Sequence, residues 1–331
     1  MSVTIGGRLS APPVFLAPMA GITDLPFRRA VLRHGPALVV SEMIASREVL
    51  AAGRSARMRA ELGLGGADTG IQIAGNDPVL MAEAARYCAG EGAALIDINF
   101  GCPAKKVTNA WSGAALMRTR DLALSIVDAV VRAVDLPVTV KMRLGWDDTV
   151  RNAPDIAHGA EEAGAALVTV HGRTRCKFYS GTADWGAIRE VTDAVTVPVI
   201  ANGDITDAQS ARAALRASGA QGVMIGRGAQ GQPWLLSRIA AALSGRKAQA
   251  APSASDTVAH ILQHYEDMLS FYGPALGVRV ARKHLGWYLE RLEGAAPLRA
   301  RVLRLTDPRS VIRELEAGIP CCNSSSLQAV A

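Results

Sequence analysis

"LIDINFGCPAKKV", residues 95–107, holds a strand and a reactive loop in one stretch. Leu95-Ile96-Asp97-Ile98-Asn99 is a strand-like, mostly apolar run, and Cys102 follows it, locked between Gly101 and Pro103. A short run that is apolar on both faces and ends in turn residues suits a buried parallel strand. Seven more runs of this kind occur: VFLA (14–17), LVVSE (38–42), IQIA (71–74), PVTVK (137–141), LVTVH (167–171), PVIAN (198–202) and GVMIG (222–226). Ala-rich stretches with helical spacing lie between most of them, among them PVLMAEAARYCAGEG, LALSIVDAVVRAV and APDIAHGAEEAGA. Strands alternating with helices give βα units and a parallel sheet. Eight such units predict an α/β fold of the closed (β/α)8 TIM-barrel type. An open doubly wound sheet is the alternative; it usually has fewer strands and an early GxGxxG, which the first turn lacks.

The barrel is expected to span 1–245. SGRKAQAAPSAS (244–255) is small, polar and proline-containing, so 246–255 reads as a linker. Beyond it the β signal disappears. DTVAHILQHYEDMLSFYG and GVRVARKHLGWYLERL are amphipathic, and a third helical stretch lies near 297–316, so 256–331 is expected to be a small all-α domain. Asp256 is the expected N-cap of its first helix, and the tail CCNSSSLQAVA is expected to fray. The chain has 331 residues, 49% hydrophobic, with a net charge of +6. That excess is compatible with a polyanionic partner without demanding one. Five cysteines with no CxxC spacing suit a reduced, cytoplasmic protein without a metal site. No run approaches a membrane span, and MSVTIGGRLSAPPVFLAP has no basic segment followed by a long apolar core, so neither membrane nor secretion is expected.

Active sites of such barrels lie at the C-terminal strand ends. Strand by strand, those ends carry Pro18-Met19-Ala20, Glu42, Gln72, Asn99 with Cys102, Lys141 with Arg143, His171, Asn202-Gly203-Asp204 and Gly226-Arg227. Glycines after the seventh and eighth strands let backbone N–H groups approach an anion, and Arg227 adds charge, which predicts a phosphate site. Lys141 in a barrel mouth needs an anionic or electron-rich partner to offset desolvation. Glu42 is expected to pair with a nearby cation. Cys88 and Cys176 read as small buried core thiols. Cys102 differs, because its loop aims it at the rim; as a catalytic thiol it can serve as nucleophile or as acid.

Several of these stretches are long enough to carry a resemblance. APMAGITDLPFR (17–28), SEM (41–43), QIAGNDP (72–78), DINFGCPAKKV (97–107), VKMRLGW (140–146), VHGRTR (170–175), IANGDI (200–205) and MIGRGAQGQPW (224–234) resemble the tRNA-dihydrouridine synthases. FYGPALGVRVARKHLGWYL (271–289) resembles the helical domain of their bacterial B-type branch. The likeness covers about residues 10–290 and departs at Ala114, where serine is expected.

That resemblance implies FMN in the barrel mouth and NADPH (or NADH) as reductant. It implies that Pro18, Met19 and Ala20 line the flavin, that Gln72 hydrogen-bonds it and that Lys141 faces its electron-rich edge, with His171 close by. Asn202, Gly203, Asp204, Gly226 and Arg227 would hold ribityl and phosphate. Hydride would add to uracil C6, and Cys102 would donate the proton to C5 from the opposite face. A thiol, mostly protonated at neutral pH, suits that task. Asn99, Arg143 and Tyr179 are expected at the uracil, and Arg279, Arg282 and Lys283 on the tRNA backbone, with Arg299, Arg301 and Arg304 further on. A monomer is expected. Competing readings are an FMN barrel reducing a free pyrimidine, a colourless aldolase or isomerase using Lys141, and a tRNA-binding protein without chemistry.

Overall fold

The computed structural model describes residues 2–51, 69–246 and 252–322. The chain opens with an antiparallel hairpin, β1 (Val3–Ile5) and β2 (Leu9–Ala11), turned by Gly6 and Gly7, both at positive φ. Sequence reading gave this stretch no structure. Ile5 is fully buried in a cluster with Leu38, Leu95 and Leu167, the first residues of three barrel strands, so the hairpin closes the N-terminal end of the barrel.

The barrel strands are β3 (Val14–Leu16), β4 (Leu38–Val40), β6 (Thr69–Ala74), β7 (Leu95–Phe100), β8 (Val138–Arg143), β9 (Leu167–His171), β10 (Val199–Asn202) and β11 (Gly222–Ile225). A two-residue piece, β5 (Ile44–Ala45), resumes the second strand alongside β6 after a break at 41–43. All pairings among them are parallel, β11 joins β3 and β4 joins β6, so the sheet closes on eight strands. The predicted TIM barrel is the observed fold, and all eight quoted runs lie on its strands. The Ala-rich stretches are helices Pro78–Gly90, Arg120–Val131 and Ala153–Glu162. Asp77 caps the first of these, accepting from the N–H groups of Val79 and Leu80.

Contacts group Met1–Leu25 with Pro36–Gly226 as one unit, and Pro26–Gly35 with Arg227–Ala331 as the other. Residues 227–245, expected with the barrel, therefore group with the helices. The reason is Trp234, which is buried in the helical core with Ile261, Tyr265, Met268, Leu285, Tyr288 and Leu289. Helices Ala254–Tyr272 and Pro274–Glu290 form the centre of this second unit, joined by Gly273 at φ +79 with proline as the first residue of the next helix. The N-cap of the first is Ser253, not Asp256; Asp256 is the return arm of the capping box, its carboxylate accepting the Ser253 N–H. The third helical stretch divides into Ala296–Val302 and Pro308–Gly318, with Asp307 capping the latter. Residues 247–251 of the expected linker and 323–331 of the tail lie outside the described residues. No helix among the described residues is long and apolar enough to cross a membrane.

Candidate active site

Register across the barrel sets the site. Gln72 lies beside Asp97, Asn99 beside Lys141, and His171 beside both Arg143 and Asn202. The polar residues read from separate strand ends therefore share one rim.

Around the thiol, Asn99 does the holding. Its Oδ1 accepts the N–H of Gly101 (3.1 Å) and of Cys102 (2.9 Å), while its Nδ2 donates to Gln72 Oε1 at 2.7 Å. From the other side, Gly113 lies at φ +61, and a Cβ on it would stand 2.9 Å from the Cys102 carbonyl oxygen. Arg143 is 2% exposed. Its Nε donates to the Gly101 carbonyl (2.8 Å) and its Nη1 to the carbonyls of Thr174 and Phe178. Burial lowers its pKa to about 10. Both Asn99 and Arg143, expected at the uracil, thus also brace the loop that carries Cys102. Tyr179 is 54% exposed, with the Arg143 guanidinium 5.6 Å from its ring centre. Cys102 itself is half-buried, within electrostatic reach of Lys141 and Arg143.

Lys141 donates to Asn202 Oδ1 at 3.1 Å, and Asn202 in turn donates to the Met224 carbonyl at 2.7 Å. Burial, then the charge of Arg143, brings the Lys141 ammonium down to about 8, against the opposing pull of Asp97 and Cys102. His171 Nε2 stands 3.2 Å from Arg173 Nη1. A guanidinium only donates, so Nε2 accepts and the ring proton sits on Nδ1. Gly203, at φ +115, leaves no room for a side chain: a Cβ would meet the His171 ring at 2.9 Å and Ala183 Cβ at 2.7 Å. Trp185 donates to the Gly203 carbonyl at 2.8 Å. Asp204 takes both terminal nitrogens of Arg173 and the Ala183 N–H. Gly226 ends the β11 turn beside Met19 and Ala17, and Arg227 begins the later segment of the second unit. Glu42 is buried and accepts the Gly21 N–H, shaping the Pro18-Met19-Ala20 turn; among the described residues it pairs with no cation.

The other two thiols of the barrel segment divide. Cys88 is fully buried, and burial pushes its thiol up to about 12. Cys176 is exposed, contrary to the core role expected of it, because it follows the rim turn after β9 and not a helix.

Residues 15–322 match the family model described as dihydrouridine synthase. The chain belongs to the dihydrouridine synthase family. It is 58% identical to a "Probable tRNA-dihydrouridine synthase" of Rhodobacter capsulatus, over 94% of this chain and 96% of that protein. A protein of the same description from Rickettsia conorii is 49% identical, over 93% of this chain and 94% of its own. The "tRNA-dihydrouridine synthase B" of Xanthomonas campestris pv. campestris is 47% identical, over 96% and 97%. The B-type resemblance read from the motifs agrees with that last description.

Two buried residues that order this rim carry no site role in the sequence reading. Arg173 is 2% exposed and ties the β9 turn to Asp204. It was visible in VHGRTR, but a strand-end arginine looks equally like a ligand contact. Asp97 was read as part of an apolar run, although a carboxylate in such a run is itself a signal.

In the second unit, Arg279 is exposed, and Arg282 and Lys283 are half-buried. Arg282 donates to the Leu305 carbonyl and Arg299 to that of Gly286, while Arg301 pairs with Glu314 at 3.0 Å. Those three therefore also hold the helical unit together.

Proposed function

We propose that this protein is an oxidoreductase acting on a CH–CH bond: a tRNA-dihydrouridine synthase that reduces C5=C6 of a D-loop uridine. The carrying observation is the Cys102 loop, braced by Asn99, Gly113 and Arg143 next to a desolvated lysine at the barrel rim. Relatives described as tRNA-dihydrouridine synthases match over nearly the whole chain.

The residues present fit FMN. Gln72 leaves one amide hydrogen without a protein acceptor among the described residues. Gly203 has no room for a side chain, and neither its N–H nor that of Gly226 has a backbone acceptor among the described residues, which suits a phosphate; Asn202 and Asp204 flank Gly203 in the chain. Lys141 and His171 stand between, with Pro18, Met19 and Ala20 on the turn that Glu42 holds. When bound, FMN supplies the hydride for uracil C6 and is restored by NADPH (or NADH). Lys141 places positive charge where electron density collects, in a site with little water to screen it. Cys102 delivers a proton to C5 from the opposite face, and the loop fixes its direction. The uridine must leave its stack to reach the rim. Tyr179, exposed beside Arg143, meets the base, and Arg279, Arg282 and Lys283 meet the tRNA backbone. Such a protein works in the cytoplasm, as a monomer.

The test is incubation of the purified protein with NADPH and unmodified tRNA, then nucleoside mass spectrometry, with Cys102→Ala alongside. Dihydrouridine from wild type, and at least about a hundred-fold less from the flavin-loaded variant, is expected for loss of a general acid. Equal yields would remove Cys102 from the chemistry. A yellow protein that oxidises NADPH and makes no dihydrouridine would favour a small-molecule substrate.

A further inference from the structure

Asp97 touches neither the rim loops nor solvent: it is 2% exposed on β7. Its Oδ1 accepts the Thr139 hydroxyl and its Oδ2 the Gln72 amide, both at 2.6 Å. A buried carboxylate is costly, and an apolar residue of similar volume is often the more stable choice. Its place in the fold therefore calls for a reason.

The reason lies in the direction of the hydrogen bonds. An ionised carboxylate cannot donate. Gln72 must therefore turn its Nε2 toward Asp97, which leaves its Oε1 facing Asn99. Asn99 must then present Nδ2 to Gln72, which leaves its Oδ1 for the N–H groups of Gly101 and Cys102. Each amide has one donor end and one acceptor end, so the order propagates without a free choice. With the order reversed, Asn99 would aim an NH2 group at two backbone N–H groups.

We propose that Asp97 is a positioning residue for Cys102: as a pure acceptor in the barrel core, it sets the direction of the Gln72 and Asn99 amides and so fixes the loop that carries the thiol. The importance of that thiol rests on the function proposed above; the relay does not. The same order leaves Gln72 only a donor for any cofactor.

Atom-for-atom rescue tests this. Asn99→Asp puts acceptors at both ends of Gln72, a clash relieved only when one of the two carboxylates takes up a proton and donates it to Gln72. Adding Asp97→Asn removes the need for that proton, since the new amide donates to Gln72 Oε1 and Gln72 donates onward to the new carboxylate. Both variants carry the same carboxylate beside the thiol and the same Arg143 and Thr139; they differ by the Asp97 charge, which also acts on Lys141, and Asp97→Asn alone, which loses the same charge, is the control. Iodoacetamide labelling of Cys102 in the purified full-length protein, measured against the exposed Cys176 of the same sample, gives the loop's state. From pH 7 to about 10, the single and double variants should agree at the acid end. They should separate by about five-fold or more at the alkaline end, the equivalent of one hydrogen bond. Agreement throughout overturns the proposal.

If Asn99→Asp does not fold, Asp97→Asn and Asp97→Leu carry the test. The first keeps an acceptor toward Gln72 once the Thr139 hydroxyl turns to accept, so labelling should stay within about two-fold; the second should shift it about five-fold or more. Equal labelling in both overturns the relay. Dihydrouridine formation by the wild-type protein, measured in parallel, separates the two readings: labelling that follows the relay in a protein that makes no dihydrouridine supports the relay and overturns only the proposed function.

Discussion

His260, His264 and His284 make the helical unit acid-labile. All three are buried; His264 Nδ1 and His260 Nε2 share the Tyr288 hydroxyl at 3.0 and 3.2 Å, and the His264 and His284 rings lie 4.9 Å apart. Burial, with the neighbouring charges of Arg33, Lys283 and the other histidines, holds His260 and His284 down to about 3 and His264 well below its ordinary value. The sign follows from proton counting. In the unfolded chain each imidazole binds a proton near pH 6.5, but in the fold it does not, so stability is complete above that pH and falls as pH drops toward about 3. Each group contributes a slope of about 1.4 kcal/mol per pH unit; at pH 5 that is about 2 kcal/mol each, about 6 kcal/mol for three. A loss of that size rivals the whole stability of a typical domain, about 5–15 kcal/mol.

The discriminating variant is His284→Phe. Neither ring nitrogen of His284 has a hydrogen-bond partner among the described residues, and the ring packs between Phe27, His264 and Trp287, so an apolar ring loses no bond there. Guanidinium denaturation of the full-length variant should show a gain over wild type at pH 5 exceeding that at pH 7.5 by about 2 kcal/mol. Hydrogen exchange at pH 5 should open peptides from 254–290 before those of the barrel strands. The same gain at both pH values would refute the argument, because it would mean that His284 does not titrate between the folded and unfolded states.

Gly113→Ala should displace the Cys102 loop, since the new methyl would stand 2.9 Å from the Cys102 carbonyl oxygen at φ +61. Dihydrouridine formation should fall about ten-fold or more for a misplaced catalytic group, with a stability loss of about 1–2 kcal/mol readable in the thermal midpoint. Arg173→Met leaves the Asp204 carboxylate, 28% exposed, without its cation. Partial exposure reduces the usual cost of a broken buried pair to about 2–3 kcal/mol. Arg173→Met with Asp204→Asn should cost less than the sum of the single changes, as a double-mutant cycle by chemical denaturation would show.

The barrel was legible because its evidence is local: each parallel strand is buried on both faces and announces itself as an apolar run, whatever its neighbours. The rim was legible because fold geometry sends every strand end to one face. Pairing within the rim was not, for a physical reason. Whether Arg143 meets a ligand or the Gly101 carbonyl depends on which loop carbonyls lack partners, and a loop leaves such groups in places that only its folded path decides. Charge at a strand end is thus evidence of a rim, while its use is a question of satisfied backbone. Asp97 makes the same point from inside. Its one-residue break in an apolar run looked like tolerated noise, yet a group that can only accept hydrogen bonds costs too much in a barrel core to be neutral. The four histidines of the helical unit were hidden differently. His34 lies more than two hundred positions from His260, and only the packing of residues 26–35 with the later helices brings their ring nitrogens within 3.1 Å. Local pattern fixes which faces are apolar; where polar atoms meet is decided by long-range register, and the chemistry of this protein depends on that register.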